Sequence, residues 1–240
     1  MDMSEKNIIT TLATAFVLSA LSLTLAGATD ATDDINPEDF TVTNDNPFFP
    51  LQPGTTFIYK GRKQLSKERD EFAVTDRTIV IDGVTCRVVH DRVFVRGVLP
   101  EDTFDYFAQD RDGNVWYFGE DTKELDRHGR VVTTEGTWRA GVNGAQPGVI
   151  MEAHPRVNDH YFQEVAAPLA QDEAIVLNLH EIVAVPFGKF TNCLQTKEFT
   201  QLEPGNIEHK FYARGIGFIL SIVVKGGKER LALVNTVRKP

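Results

Sequence analysis

Thr103-Phe104-Asp105-Tyr106-Phe107-Ala108-Gln109, then Asp110-Arg111-Asp112-Gly113-Asn114, then Val115-Trp116-Tyr117-Phe118-Gly119 is the stretch from which the fold is read. Successive side chains of an extended strand point to opposite faces. Phe104, Tyr106 and Ala108 therefore share one face, and Asp105 and Phe107 share the other. Between the two runs, Asp and Asn side chains bond their own backbone and Gly accepts positive φ, which makes a tight turn. The pair reads as an antiparallel hairpin, with Asp105 opposite Gly119 and Glu120. Large rings fall on both of its faces, Val115 and Tyr117 on one side and Trp116 and Phe118 on the other. A sheet that needs one dry face places polar residues at half of such positions. The second apolar face is therefore either covered by protein or open to a ligand.

The pattern repeats outward in both directions. Thr56-Phe57-Ile58-Tyr59, Thr78-Ile79-Val80-Ile81, Val84 to Val89 and Phe94-Val95 precede the hairpin, with Asp82-Gly83 as a turn between the middle two. Lys60 to Glu71, densely charged, reads as a loop or an exposed edge pairing. After the hairpin come Val131 to Arg139, His160 to Ala166, Ala174 to Val185, Phe190 to Thr200, Ile207 to Ala213, Phe218 to Val224 and Leu231 to Val237. Only Pro168 to Ala174 has a helical cast. About a dozen short strands joined by Gly, Pro and Asp turns predict an all-β fold, one strongly curved or closed antiparallel sheet with at most one or two short helices. Gly215-Ile216-Gly217 reads as a tight bend before the last strands, since the third glycine and following helix of a dinucleotide site are missing.

The chain divides into 1–28, 29–49 and 50–240. Ile8 to Ala28 carries no charge, follows Lys6 and ends Leu25-Ala26-Gly27-Ala28. Small residues at the last and third-last positions fit an export signal cut after Ala28; the alternative is an uncleaved anchor, which needs roughly 20 apolar residues. If the signal is cut, no transmembrane segment remains, and the protein is expected in the periplasm or outside the cell. Residues 29–49 form an acidic leader expected to be mobile or draped on the surface. Asn46-Pro47-Phe48-Phe49-Pro50 then pins the entry to a single β-rich domain.

Without residues 1–28 the chain holds 24 Lys and Arg against 32 Asp and Glu. That balance excludes nucleic acid, whose phosphates need a basic face. Cys86 and Cys193 are the two cysteines, and export permits a disulfide between them. It would close a loop for which chain entropy gives about 4–5 kcal/mol. Two buried thiols filling core gaps are the alternative.

Asp110, Asp112 and Asn114 set oxygens at alternate positions and are the metal candidates, with calcium the ion. The helix-loop-helix calcium pattern fails here, because the glycine comes one position early and position 12 is Asp121. A hairpin turn explains the same residues. Glu101, Asp102, Asp105, Glu120, Asp121 and Glu124 gather near Arg92, Arg96 and Lys123, either as a salt-bridged rim or as carboxyls for acid–base work. Asp105, Glu120, His180 and His209 are thus the catalytic candidates. His209 lies in phase with Ile207 and Phe211, which would bury its imidazole and require a partner. No helical histidine pair and no serine-nucleophile elbow occur.

Asp91-Arg92-Val93-Phe94-Val95, Glu101 to Asp110, Gly113 to Asp121, Gly136-Thr137-Trp138-Arg139, Val185-Pro186-Phe187-Gly188-Lys189-Phe190, Leu202-Glu203-Pro204-Gly205 and Glu208-His209-Lys210-Phe211-Tyr212-Ala213 carry a resemblance. They look like a widespread family of exported bacterial proteins of unassigned role, over about Pro50 to Val237. The plan is also similar to the curved half-barrel sheets of exported bacterial carriers, a likeness of architecture only. These readings converge on an exported binding or envelope-structural protein. Its expected ligand is an apolar or amphipathic small molecule lying against Phe104, Tyr106, Phe107, Trp116, Tyr117 and Phe118. The alternatives are a secreted enzyme using pocket carboxylates or histidine, and a calcium-stabilised scaffold.

Overall fold

The computed structural model describes residues 35–63 and 65–239; the export-signal reading of residues 1–28 lies outside them. A 3-10 turn at Pro37–Asp39 leads into β1 (Phe40–Thr41). Five long strands follow: β2 (Thr55–Lys63), β3 (Ser66–Ile81), β4 (Val84–Val95), β5 (Val98–Asp110) and β6 (Val115–Leu125). Short strands come next: β7 (Val131–Thr133), β8 (Trp138–Arg139), β9 (Gln146–Met151), β10 (His160–Phe162) and β11 (Glu164–Val165). The chain closes with β12 (Asp172–Val185), β13 (Gly188–Thr200), β14 (Ile207–Ala213), β15 (Gly217–Lys225) and β16 (Arg230–Arg238). All pairings are antiparallel, and the sheet runs β10-β12-β13-β14-β15-β16-β2-β3-β4-β5-β6-β9-β11.

That order makes a nearly closed barrel. The last strand pairs with the first long one, Leu233 opposite Tyr59 and Thr236 opposite Phe57. At the two ends of the path, β10 pairs with β12 while β11 pairs with β9. Only Gln163 separates β10 from β11, so one short piece of chain touches both sheet ends. Gln163 is buried; its N–H donates to the Asp172 carbonyl at 2.7 Å and its amide to the Ile150 carbonyl at 3.5 Å. Glycine is required opposite it. A Cβ on Gly148 would lie 2.4 Å from the Gln163 carbonyl carbon and oxygen.

Closure leaves little of the sheet as a bare edge, the usual hazard of an all-β chain. It also sorts side chains by alternation into an interior and an exterior. Two expectations are decided here. Of the two readings of Lys60 to Glu71, pairing holds, though within the sheet and not at an edge: β2 and β3 pair residue for residue from Thr56–Ala73 to Lys63–Ser66. Charged residues suit it because alternate ones face solvent and the rest enter the barrel. Pro168 to Ala174 forms no helix; Ala166 and Ala170 bridge around a turn and β12 starts at Asp172. Among the described residues the helical content is the single 3-10 turn.

From Ile35 onward the leader lies along the domain. β1 pairs with the end of β5, Phe40 opposite Asp110, and the Phe40 ring meets Trp116 and Phe118 edge-on at 5.9 and 5.3 Å. Asn46 then ties the chain down. Its side-chain oxygen accepts from the Phe48 and Phe49 amides, and its side-chain nitrogen donates to the Gly113 and Glu152 carbonyls.

The cysteine pairing is corrected as well. Cys86 on β4 and Cys193 on β13 are both free and buried. Five strands, β14, β15, β16, β2 and β3, lie between theirs in the sheet, whereas a disulfide needs Cα atoms within about 7 Å. Burial raises both thiol pKa values, that of Cys86 to about 12, so neither is a ready nucleophile.

Candidate functional site

Alternation along the strands decides what enters the barrel. Phe57 and Tyr59 on β2 face inward with Asp70 and Phe72 on β3, as their pairings Phe57–Phe72 and Tyr59–Asp70 require. Asp91 is opposite Phe72, Asp105 opposite Glu120, and Phe107 opposite Tyr117. Across the barrel, Lys210 on β14 pairs with Ser221 on β15. Together these groups surround a cavity of about 370 Å³.

One part of the wall is apolar. Phe49, from the Asn46-anchored segment, packs edge-on against Phe72 and Phe107 at 6.2 and 5.4 Å. Phe107 stacks on Tyr117 at 4.8 Å, and Tyr59 lies 5.0 Å from Phe218. The rest is carboxylic. Asp70, Asp91, Asp105, Glu164, Asp172 and Glu208 line the chamber. Asp172, at the start of β12, is exposed to solvent.

Asp70, Asp91, Asp105, Glu164 and Asp172 hold protons more tightly than surface carboxyls. Asp70 and Asp91 are neighbouring carboxyls, and burial drives both pKa values up, that of Asp70 to about 7, with the charge of Asp70 adding to the rise at Asp91. Burial also raises Asp105, with the charges of Asp91 and Glu120 adding to it. The Tyr117 hydroxyl lies 2.7 Å from Asp105 Oδ1 and 2.9 Å from Glu120 Oε2. Burial lifts Glu120 to about 7 and Glu164 to about 8. Two oxygens, Asp70 Oδ1 and Asp91 Oδ1, are shut off from solvent without a hydrogen-bond partner.

Lys210 is the one cationic side chain lining the chamber among the described residues. It is already committed. Its ammonium lies 2.6 Å from Glu198 Oε2 and 3.6 Å from Glu208 Oε2. Burial pulls its pKa down, but Glu198 and Glu208 outweigh that and keep it protonated. Glu198 is satisfied by Thr196 at 2.8 Å and Tyr212 at 2.9 Å besides.

The six aromatics expected to meet a ligand separate by face. Phe107 and Tyr117 line the chamber. Phe118 and Trp116 face away and are covered by Phe40, so protein claims that second apolar face. Phe104 and Tyr106 are also outside the chamber. Phe104 stacks on His90 at 4.3 Å beneath Arg77, and Tyr106 donates to Asp121 at 2.8 Å beneath Arg139.

Among the catalytic candidates, Asp105 and Glu120 come together through Tyr117, while His180 and His209 join neither them nor each other. His180 is exposed beside Asn192 at 3.4 Å, and His209 contacts Gln195 at 3.0 Å on the outer face. In Glu208-His209-Lys210 it is the flanking pair that points inward. The acidic group near the hairpin divides likewise, for Asp102 bonds His90 and Asp121 bonds Arg139 outside the barrel.

Asp110, Asp112 and Asn114 form the hairpin turn. Asp110 Oδ1 accepts from the Asn114 amide, and Asp110 Oδ2 accepts from the Asn114 side chain and the Trp116 indole, each at 2.8 Å. Asn114 Oδ1 accepts from the Ala153 amide at 2.9 Å. The side-chain oxygens of Asp110 and Asn114 that a calcium ion would need are engaged by protein donors. Among the described residues no group of His, Cys, Asp and Glu has the geometry to hold a metal ion.

Sequence reasoning missed Asp70, Asp91 and Lys210 as chamber residues. The signal was phase: Asp70 recurs with Phe72 and Val74, and Asp91 with Val89 and Val93. An acid in phase with an apolar row points into whatever that row faces.

No protein-family model matches the chain, and no curated protein matches it by sequence. Two solved structures are distantly similar to it. One, from Bacteroides fragilis, is provisionally described as an exported protein with a YmcC-like fold; it is 14% identical with a TM-score of 0.46, over 80% of this chain and 99% of that one. The other is provisionally described as a lipoprotein, from Parabacteroides distasonis, 9% identical with a TM-score of 0.43, over 81% and 100%. Both likenesses are distant, and the site rests on this chain's own residues.

Proposed function

We propose that this is an exported binding protein whose barrel holds an amphipathic small molecule. Export rests on the apolar run and small-residue cleavage pattern of residues 1–28. The observation that carries the binding reading is the chamber, with an aromatic wall on Phe49, Phe57, Phe72 and Phe107 and carboxyls facing it. Its volume falls within the range of small-molecule pockets, roughly 300–1,000 Å³. A core built only for stability would fill this space, since interiors are packed like organic crystals. Tyr59 and Tyr117 add hydroxyls that orient a polar end.

Protein purified from its native compartment should release a small molecule on denaturation, detected by mass spectrometry. Amphipathic probes should also change the emission of Trp138, whose ring meets Tyr117 edge-on at 5.5 Å. Trp138 and Trp116 are the two tryptophans, so a Trp116→Phe variant isolates the signal. Absence of both a retained molecule and saturable probe binding refutes the reading. A second reading, acid–base catalysis on the bound molecule, draws on the neighbouring buried Asp70 and Asp91 carboxyls and the Asp105–Tyr117–Glu120 group. Recovery of the retained molecule chemically altered after incubation would favour it.

A further inference from the structure

We propose that the molecule held in this chamber is an organic cation, a protonated aliphatic amine whose ammonium sits among Asp70, Asp91 and Asp105 with its hydrocarbon tail on the Phe49, Phe72 and Phe107 wall. The inference rests on the binding reading above and adds the chemical class.

Charge is the first argument. Six carboxyl side chains line the cavity against one ammonium, and that ammonium is engaged by Glu198 and Glu208 on the β13–β14 side. The wall built by β3, β4 and β5 has no cation facing the chamber among the described residues. An anionic head group would enter against the field of every carboxylate there, whereas an ammonium replaces mutual repulsion by attraction.

Unfilled valence is the second. Asp70 Oδ1 and Asp91 Oδ1 are closed to solvent and lack a donor. Buried acceptors are ordinarily bonded, and the exceptions call for an explanation. An ammonium brings up to three N–H donors to one point. Asp105, held by Tyr117 at 2.7 Å, faces the same space. The third argument is the neighbouring surface: the stacked Phe107–Tyr117 pair and Tyr59 offer ring faces that attract a cation, and the phenylalanines beyond suit an alkyl chain.

Proton linkage gives the binding a signature. The groups facing the ammonium position are Asp70 and Glu68 on β3, Asp91 on β4, and Asp105 and Glu101 on β5. Tyr59 on β2, Tyr117 and Glu120 on β6, Glu164 on β11, Asp172 on β12 and the Glu208–Lys210 pair on β14 complete the set. A cation bound there favours ionised carboxyls, so binding expels protons and tightens as pH rises through about 7, where Asp70 and Glu120 titrate. An amine of pKa near 10 stays protonated throughout.

Decylamine, decanol and decanoate share a tail and differ in head group. Their binding to the full chain carrying Trp116→Phe is measured by Trp138 emission and calorimetry, below their aggregation concentrations, at pH 6 and pH 8. Decylamine should bind at least about tenfold tighter than decanol at pH 8, weaken about tenfold at pH 6, and release protons on binding. Decanol affinity should be indifferent to pH. Asp70→Asn combined with Asp91→Asn should cost decylamine about tenfold or more while decanol binding persists, which also certifies the fold. Decanol or decanoate binding as tightly as decylamine overturns the cation inference and leaves the binding reading standing. Calcium chloride displacing decylamine at comparable potency overturns it too, in favour of a metal ion. Failure of all three probes removes the inference together with the reading on which it rests.

Discussion

A phenol has one proton to give, and Tyr117 stands between two carboxyls. Its oxygen lies 2.7 Å from Asp105 and 2.9 Å from Glu120, so it donates to one and must accept from the other. One carboxyl therefore carries a proton, in keeping with the raised pKa of both. Tyr117→Phe strips a buried donor from one group and an acceptor from its neighbour. Leaving such groups unpaired costs about 1–3 kcal/mol, so urea unfolding at pH 7 should show a loss in that range. The ring keeps its stack on Phe107, and the circular dichroism spectrum should be unchanged. A loss below about 0.5 kcal/mol would mean that water takes over both bonds in the chamber. The cysteines belong to the same scale. Two free thiols should be counted in unreduced, denatured protein, and none would show that Cys86 and Cys193 are joined after all.

At the scale of elements, the barrel depends on one crossing point. Gly148 on β9 passes so close to Gln163 that a Cβ would stand 2.4 Å from its backbone. Gly148→Ala must push apart the strands that join the two ends of the sheet. Overpacking of this kind costs about 1–3 kcal/mol. Amide exchange at His160–Phe162 and Glu164–Val165 should accelerate more than in the β3–β4 hairpin; uniform acceleration would mean that closure and sheet unfold as one unit. The strands themselves were legible in the sequence, as were the Asp82–Gly83 and Asp110–Asn114 turns, because alternation and turn chemistry are local. Asp105 opposite Glu120 followed from hairpin register alone. Closure was not legible in detail, since Gly148 and Gln163 meet only through long-range pairing. The same limit hid the chamber's acidic wall: Asp70 and Asp91 announce a buried face by phase, but which face encloses a cavity is decided by how the whole sheet curls. The outer burial of Trp116 and Phe118 needed Phe40, which lies in a polar leader with no apolar rhythm of its own.

The molecule as a whole places acids inside and leaves them short of counter-ions, which fixes how its stability varies with pH. Unfolded Asp and Glu titrate near pH 4. In the folded barrel, burial raises Asp70, Glu120 and Glu152 to about 7 and Glu164 to about 8. Between those limits the native state binds more protons than the unfolded chain, so stability falls as pH rises. The contribution is fully present below about pH 4 and is lost as pH climbs through 7 to 8. Repulsion across a chain of net charge −9 acts in the same direction. Calorimetric melting temperature should therefore be higher at pH 5.5 than at pH 8.5 by at least about 5 °C, since 1 kcal/mol moves a domain of this size by roughly 2–4 °C. Asp91→Asn provides the control. It removes one of two neighbouring buried carboxyls while its amide can donate to Asp70, so it should raise the melting temperature at pH 8.5 and flatten the slope. A melting temperature that climbs from pH 5.5 to 8.5 would mean that the interior carboxyls are ionised and matched by cations in the folded protein. Saturating decylamine should flatten the profile in the same way, because the bound ammonium stabilises the ionised carboxyls that otherwise destabilise the barrel.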